Sequence, residues 1–84
     1  MKNIAIVTGA SSGIGKEFFL SLNDKKNELD EIWVVARGAD KLNALKELTP
    51  VPVRVFPLDL SKPQATQELD GALKQETPFV KYLI

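Results

Sequence analysis

Thr8-Gly9-Ala10-Ser11-Ser12-Gly13-Ile14-Gly15 is the stretch of this sequence whose residue types and spacing suit it best to chemistry. Its glycines bare the backbone, and the hydroxyls of Thr8, Ser11 and Ser12 stand among them as further donors. The apolar run Ile4-Ala5-Ile6-Val7 precedes the turn and an amphipathic stretch follows it, so the turn joins a buried strand to a helix. The first turn of a helix has N–H groups without intrahelical partners and roughly half a positive charge, which together bind phosphate. Gly9 is expected to permit the tight turn and Gly13 to let the backbone approach a pyrophosphate. Gly15 is expected to let the helix lie close on the sheet. The spacing is G-x-x-x-G-x-G rather than the commoner G-x-G-x-x-G. The strand before it and the helix after it favour a phosphate cradle over a merely glycine-rich turn.

Composition narrows the chemistry further. The chain has 84 residues, no cysteine and no histidine. That removes disulfides, a thiol or imidazole nucleophile and the usual transition-metal ligands, so no metal site is assigned. Eleven basic and 11 acidic residues cancel, which gives no support for nucleic acid or an anionic membrane as partner. No apolar run approaches the ~20 residues of a membrane helix, and no signal-peptide pattern opens the sequence. With 44% hydrophobic and 26% charged residues the chain reads as one small globular domain, expected in the cytoplasm.

The elements that must hold the turn follow from periodicity. After the first strand, Ile14, Phe18 and Leu22 recur at i, i+4 and i+8 and predict a helix with that face on the sheet. Asn23 to Asp30 is polar and reads as a surface connection. Ile32-Trp33-Val34-Val35 is a second buried strand, with Trp33 a core residue rather than a stacking platform. Leu42, Leu45 and Leu48 mark a second helix closed by Thr49-Pro50. Val53-Arg54-Val55-Phe56 is a third strand that Arg54 interrupts. Ser61 is expected to cap a third helix, with Gln64 completing a capping box and Pro63 in the first turn. Ala65, Leu69, Ala72 and Leu73 form the apolar face of that helix, which Gly71 weakens. Thr77-Pro78 breaks it, and Phe79 to Ile84 reads as a fourth strand. Strands alternating with helices imply βαβ units and a parallel sheet. The expected strand order is 3-2-1-4, with the first two helices on one face and the third on the other.

With these residues in place, the sequence resembles the short-chain dehydrogenase/reductase family. The resemblance is close over Thr8 to Gly15 and weaker through Val35-Ala36-Arg37 and Leu58-Asp59-Leu60 to Ile84. It implies an α/β, Rossmann-like parallel sheet of about four strands and three helices, with residues 1–84 a partial, truncated dinucleotide-binding domain. It places Gly9, Gly13, Ile14 and Gly15 in a cofactor turn, beside the donor hydroxyls of Ser11 and Ser12. A carboxylate about 20 residues past the glycines would accept the adenosine ribose hydroxyls and repel a 2′-phosphate. Ala36 has none, and Arg37 can bind a 2′-phosphate with charge-assisted hydrogen bonds. A basic residue there accompanies NADP in the family, so NADP is expected over NAD; the alternative is an arginine that only solvates the loop. Ser12 departs from the second basic residue that some NADP-preferring relatives carry. Asp59 resembles the aspartate that binds the adenine amino group, with Leu60 adding its backbone N–H. The alternative is that Asp59 only leads into the Ser61 cap.

The family's catalytic serine, tyrosine and lysine are implied well downstream, and its Asn-Asn-Ala-Gly turn after the fourth strand. Tyr82 and Lys81 are expected on opposite faces of that strand and cannot stand in for them. The expected protein is therefore the N-terminal nucleotide-binding segment of an NADP-dependent short-chain oxidoreductase, inactive alone. A stand-alone nucleotide-binding or oligomerising module is the alternative, and a folded segment that binds nothing a third reading. Val80, Tyr82 and Ile84 are expected to form an open apolar edge. Self-association through that edge, or over the face that only the third helix covers, is expected.

Overall fold

Four segments of extended backbone lie side by side and run parallel: β1 (Asn3–Thr8), β2 (Glu31–Ala36), β3 (Val53–Pro57) and β4 (Phe79–Leu83). This computed structural model describes residues 1–10 and 13–84. The sheet order is β3-β2-β1-β4, as the alternation of elements implies. Helices α1 (Gly13–Ser21), α2 (Ala39–Ala44) and α3 (Pro63–Glu76) connect the strands, and 3₁₀ turns at Leu22–Lys25 and Leu45–Leu48 extend the first two.

Continuous apolar runs suit β1 and β2 because both strands are covered on both faces. Alternate side chains go to opposite sides. Ala5, Val7, Ile32 and Val34 pack with Phe19, Leu22, Leu42 and Leu45 beneath α1 and α2. Ile4, Ile6, Trp33 and Val35 pack with Leu69, Ala72 and Leu73 of α3. Trp33 is fully buried and donates its Nε1–H to Glu31 Oε1 at 3.0 Å. The Arg54 guanidinium lies 4.9 Å from the Trp33 ring centroid and 5.1 Å from that of Phe56, and pairs with Glu76 at the end of α3. The charge that breaks the apolar pattern of β3 thus roofs two aromatic rings while its head stays at the surface.

Three local expectations are corrected. Phe19, not Phe18, is the fully buried residue of α1; Phe18 is half-buried and Ile14 is 82% exposed. The helix is turned by one residue because Gly15 is seated against the Gly9 backbone, which puts 15, 19 and 22 on the sheet side. In the second helical segment Leu42 and Leu45 are buried but Leu48 is exposed. The last turn there is 3₁₀ and ends at Leu48, where the chain becomes extended at Thr49 and leaves the sheet-facing side. Ser61 does not cap α3. The residue preceding the helix is Lys62, without a side-chain cap, and Pro63 opens the helix. The Ser61 hydroxyl turns back to Asp59, an acceptor two residues away that competes with the helix end.

A fourth correction concerns β4. Ile4 pairs with Val80 and the next residue, Ala5, with Tyr82, so Lys81 is the extra residue of a bulge. The bulge cancels the strand alternation. Lys81 Nζ and Tyr82 Oη both donate to Glu28 Oε1, at 3.2 and 3.4 Å. The Lys81 hydrogen bond is the main reason that the Glu28 carboxyl is held below its usual 4.5. Val80 packs on the α3 side and Tyr82 on the α1 side, so Val80, Tyr82 and Ile84 do not form one apolar stripe.

Candidate functional site

The sheet register brings the strand exits to one edge. Thr8 is level with Val35, and Val35 with Phe56, so the turns after β1, β2 and β3 open side by side. The turn after β1 is fastened to both neighbouring strands. Gly9 N–H donates to the Val35 carbonyl at 2.8 Å. Thr8 donates its N–H and its Oγ1–H to the Ile84 carbonyl, at 2.9 and 2.8 Å. Gly9 and Gly13 have φ of 63° and 59°, the left-handed region that an L side chain disfavours. A Cβ on either would meet nothing within 4 Å, so the backbone conformation, not space, demands glycine. Gly15 is the reverse case: a Cβ there would lie 2.2 Å from the Gly9 carbonyl oxygen. Ala10, passed over in the sequence, is fully buried beneath the turn in the α1-side core. Ser11 and Ser12 lie outside the described residues.

Beside this turn a cleft of about 980 Å³ runs across the ends of β1, β2 and β3. Gly9, Val35, Ala36, Arg37, Gly38, Ala39, Asp40 and Lys41 line one part, and Leu58, Asp59, Leu60 and Ser61 the other. Among the described residues it therefore gathers Gly9, Arg37, Asp59 and Leu60 of the expected set. Gly13, Ile14 and Gly15 lie outside its walls: Ile14 is exposed at the start of α1, and Gly15 is packed under the turn.

Charge in the cleft is ordered. Asp59 Oδ1 accepts hydrogen bonds from the Ser61 hydroxyl at 2.7 Å and the Ser61 N–H at 3.0 Å. These bonds, the hydroxyl first, hold the Asp59 carboxyl below its usual 3.8, and the positive charge of Arg37 adds to the effect. Among the described residues neither Arg37 nor Lys41 makes an ion pair, so both cations line the cleft without a direct carboxylate contact, with Asp40 and Asp59 in the same lining. Lys41 was not singled out from sequence; its position in the first turn of α2, close after Arg37, was the available signal. Also among the described residues, no cluster of acidic side chains could hold a metal, and no helix is long and apolar enough to cross a membrane.

A parallel sheet in the order β3-β2-β1-β4, with a glycine turn where the strand order reverses, defines the doubly wound, Rossmann-like class. The relatives narrow that class. An uncharacterised oxidoreductase of Staphylococcus aureus (strain MRSA252) is 37% identical over 67 residues, 79% of this chain and 28% of that protein. The L-sorbose reductase of Gluconobacter frateurii, solved with NADPH and L-sorbose, is 28% identical with a TM-score of 0.69; the match covers 95% of this chain and 31% of the reductase. A metagenomic short-chain oxidoreductase solved with NADP is 26% identical with a TM-score of 0.73, covering 96% of this chain and 37% of that enzyme. No protein-family model matches the chain. In sequence and fold the chain is similar to the N-terminal part of short-chain oxidoreductases, and it spans about a third of the length of these relatives.

Proposed function

We propose that this chain holds the adenosine and phosphate portion of NADP for a short-chain oxidoreductase that interconverts a carbonyl and an alcohol. The observation that carries this reading is the cleft in which Gly9, Arg37 and Asp59 converge from three successive strand exits. The residues fit the group. Gly9 and Gly13 bare the backbone where a pyrophosphate needs close approach. The free guanidinium of Arg37 suits a 2′-phosphate, and no carboxylate at Ala36 opposes it. Asp59 and the Leu60 N–H supply an acceptor and a donor for adenine. Ser11, Ser12 and Ile14 complete the phosphate turn in this reading. NADP or NADPH in the two solved relatives supports the same choice over NAD. The bound cofactor supplies hydride chemistry; the residues of this chain orient it and catalyse nothing by themselves. The cysteine-free composition accords with a reducing, cytoplasmic setting.

Calorimetric titration of the 84-residue chain with NADPH and NADH tests the reading. Binding with NADPH preferred is the expected result. A folded chain that binds neither nucleotide, or NADH better, overturns it.

A second observation favours self-association as part of this function. The edge strand β4 leaves Phe79 50%, Leu83 67% and Ile84 47% exposed beside unpaired backbone groups. Sedimentation velocity is expected to show a concentration-dependent dimer or larger species. A monomer across the micromolar range removes this part of the proposal.

A further inference from the structure

The Ser61 hydroxyl has a task that its place before α3 conceals. It neither caps the helix nor points away from the protein; it donates to Asp59 Oδ1 at 2.7 Å, on the same oxygen that accepts the Ser61 N–H at 3.0 Å. The backbone beneath is closed by a second bond, Lys62 N–H to the Asp59 carbonyl at 3.0 Å. Asp59 is therefore held at both its main chain and its carboxylate. Among the described residues, Oδ2 has no hydrogen-bond donor, and Asp59 lines the cleft.

We propose that Ser61 is a positioning residue for base recognition: by occupying Oδ1 it fixes the Asp59 carboxylate with Oδ2 left to accept from an N–H donor, the exocyclic amino group of a purine. This deepens the cofactor reading above and rests on it. A free carboxylate rotates and accepts from any donor. One with Oδ1 saturated and its main chain locked offers one acceptor in one direction, which distinguishes a 6-amino purine from a 6-oxo purine. The same arrangement keeps the acceptor ionised. The charged groups around it are Arg37, Asp40 and Lys41 across the cleft and Lys62 on its own loop. Arg37 and Lys62 act in the same direction as the Ser61 bonds, toward a lowered Asp59 pKa. Binding that depends on the Asp59 carboxylate should thus survive into acid below the ordinary aspartate range, and be lost only as pH falls through the lowered value.

The test compares wild type, Ser61→Ala and Ser61→Thr in titrations with NADPH and with its hypoxanthine analogue, each across a pH series. Wild type and Ser61→Thr should prefer the adenine nucleotide. Ser61→Ala should lose about 3- to 10-fold of that preference, the range of one ordinary hydrogen bond, and its acid limb of binding should move to higher pH. Helicity by circular dichroism should be unchanged, since α3 begins at Pro63 without the hydroxyl. Unaltered base preference and acid limb in Ser61→Ala, with NADPH still bound, overturns the role of Ser61 and leaves the cofactor reading standing. A fall in helicity makes the serine a folding residue and also overturns it. A wild-type chain that binds neither nucleotide removes the cofactor reading and this assignment together.

Discussion

Gly15→Ala is expected to destabilise this chain and to open its glycine turn. An added Cβ would sit 2.2 Å from the Gly9 carbonyl oxygen and 2.7 Å from its carbonyl carbon. Both are backbone atoms, and Gly9 is itself bonded to the Val35 carbonyl, so neither can yield without opening the turn. The helix must lift from the sheet, and Phe19 and Leu22 lift with it. Overpacking of this kind costs about 1–3 kcal/mol and sometimes more. A small domain has little stability to lose, and each kcal/mol shifts the melting temperature by roughly 4–8 °C at this size. Thermal unfolding should therefore show a drop of at least several degrees, with nucleotide binding lost alongside. Gly71→Ala is the control. Gly71 lies inside α3 and a Cβ there meets nothing within 4 Å, so alanine should raise stability by about 0.5–1 kcal/mol through helix propensity alone. An unchanged melting temperature for Gly15→Ala would mean that α1 is not seated on the glycine turn.

Arg37→Glu should separate the two nicotinamide cofactors. Arg37 lines the cleft beside Lys41, Asp40 and Asp59, and among the described residues no carboxylate forms an ion pair with it. Its guanidinium is thus available to a 2′-phosphate without first breaking a protein contact. A hydrogen bond to a charged group is worth about 1.5–3 kcal/mol, and reversal adds repulsion on an exposed, screened surface. NADPH affinity should fall by about 10- to 100-fold, more at low salt than at high. NADH lacks the phosphate and should lose little. Isothermal titration of both nucleotides reads the difference directly. Equal loss of both, or loss of neither, places Arg37 outside the site.

Both predictions rest on features of different legibility. The glycine turn, the parallel order and the burial of Trp33 were legible because local pattern carries them. A short continuous apolar run bounded by turn residues suits a strand covered on both faces, and its alternation with helices suits a right-handed crossover topology. Ser61 and Lys81 depart from local expectation for one reason. Each was assigned by a local rule, capping or strand alternation, and each was diverted by a partner: Asp59 Oδ1 for Ser61, and the bulge opposite Ile4 and Ala5 for Lys81. The phase of α1 shows the same competition. Ile14, Phe18 and Leu22 obey helical spacing, yet contact between Gly15 and the Gly9 backbone sets which line faces the sheet.

By itself, then, the sequence determined the fold, the position of the glycine turn and the residue types beside it. These follow from short-range sterics, hydrophobic periodicity and the unpaired N–H groups of a helix start. Only the tertiary structure decided that Gly9, Arg37 and Asp59 share one cleft, that Lys41 joins Arg37 there, and that Ser61 serves Asp59 instead of α3. Those relations depend on the register of three strands and on which acceptor lies nearest in space, and neither quantity is written in the order of the residues.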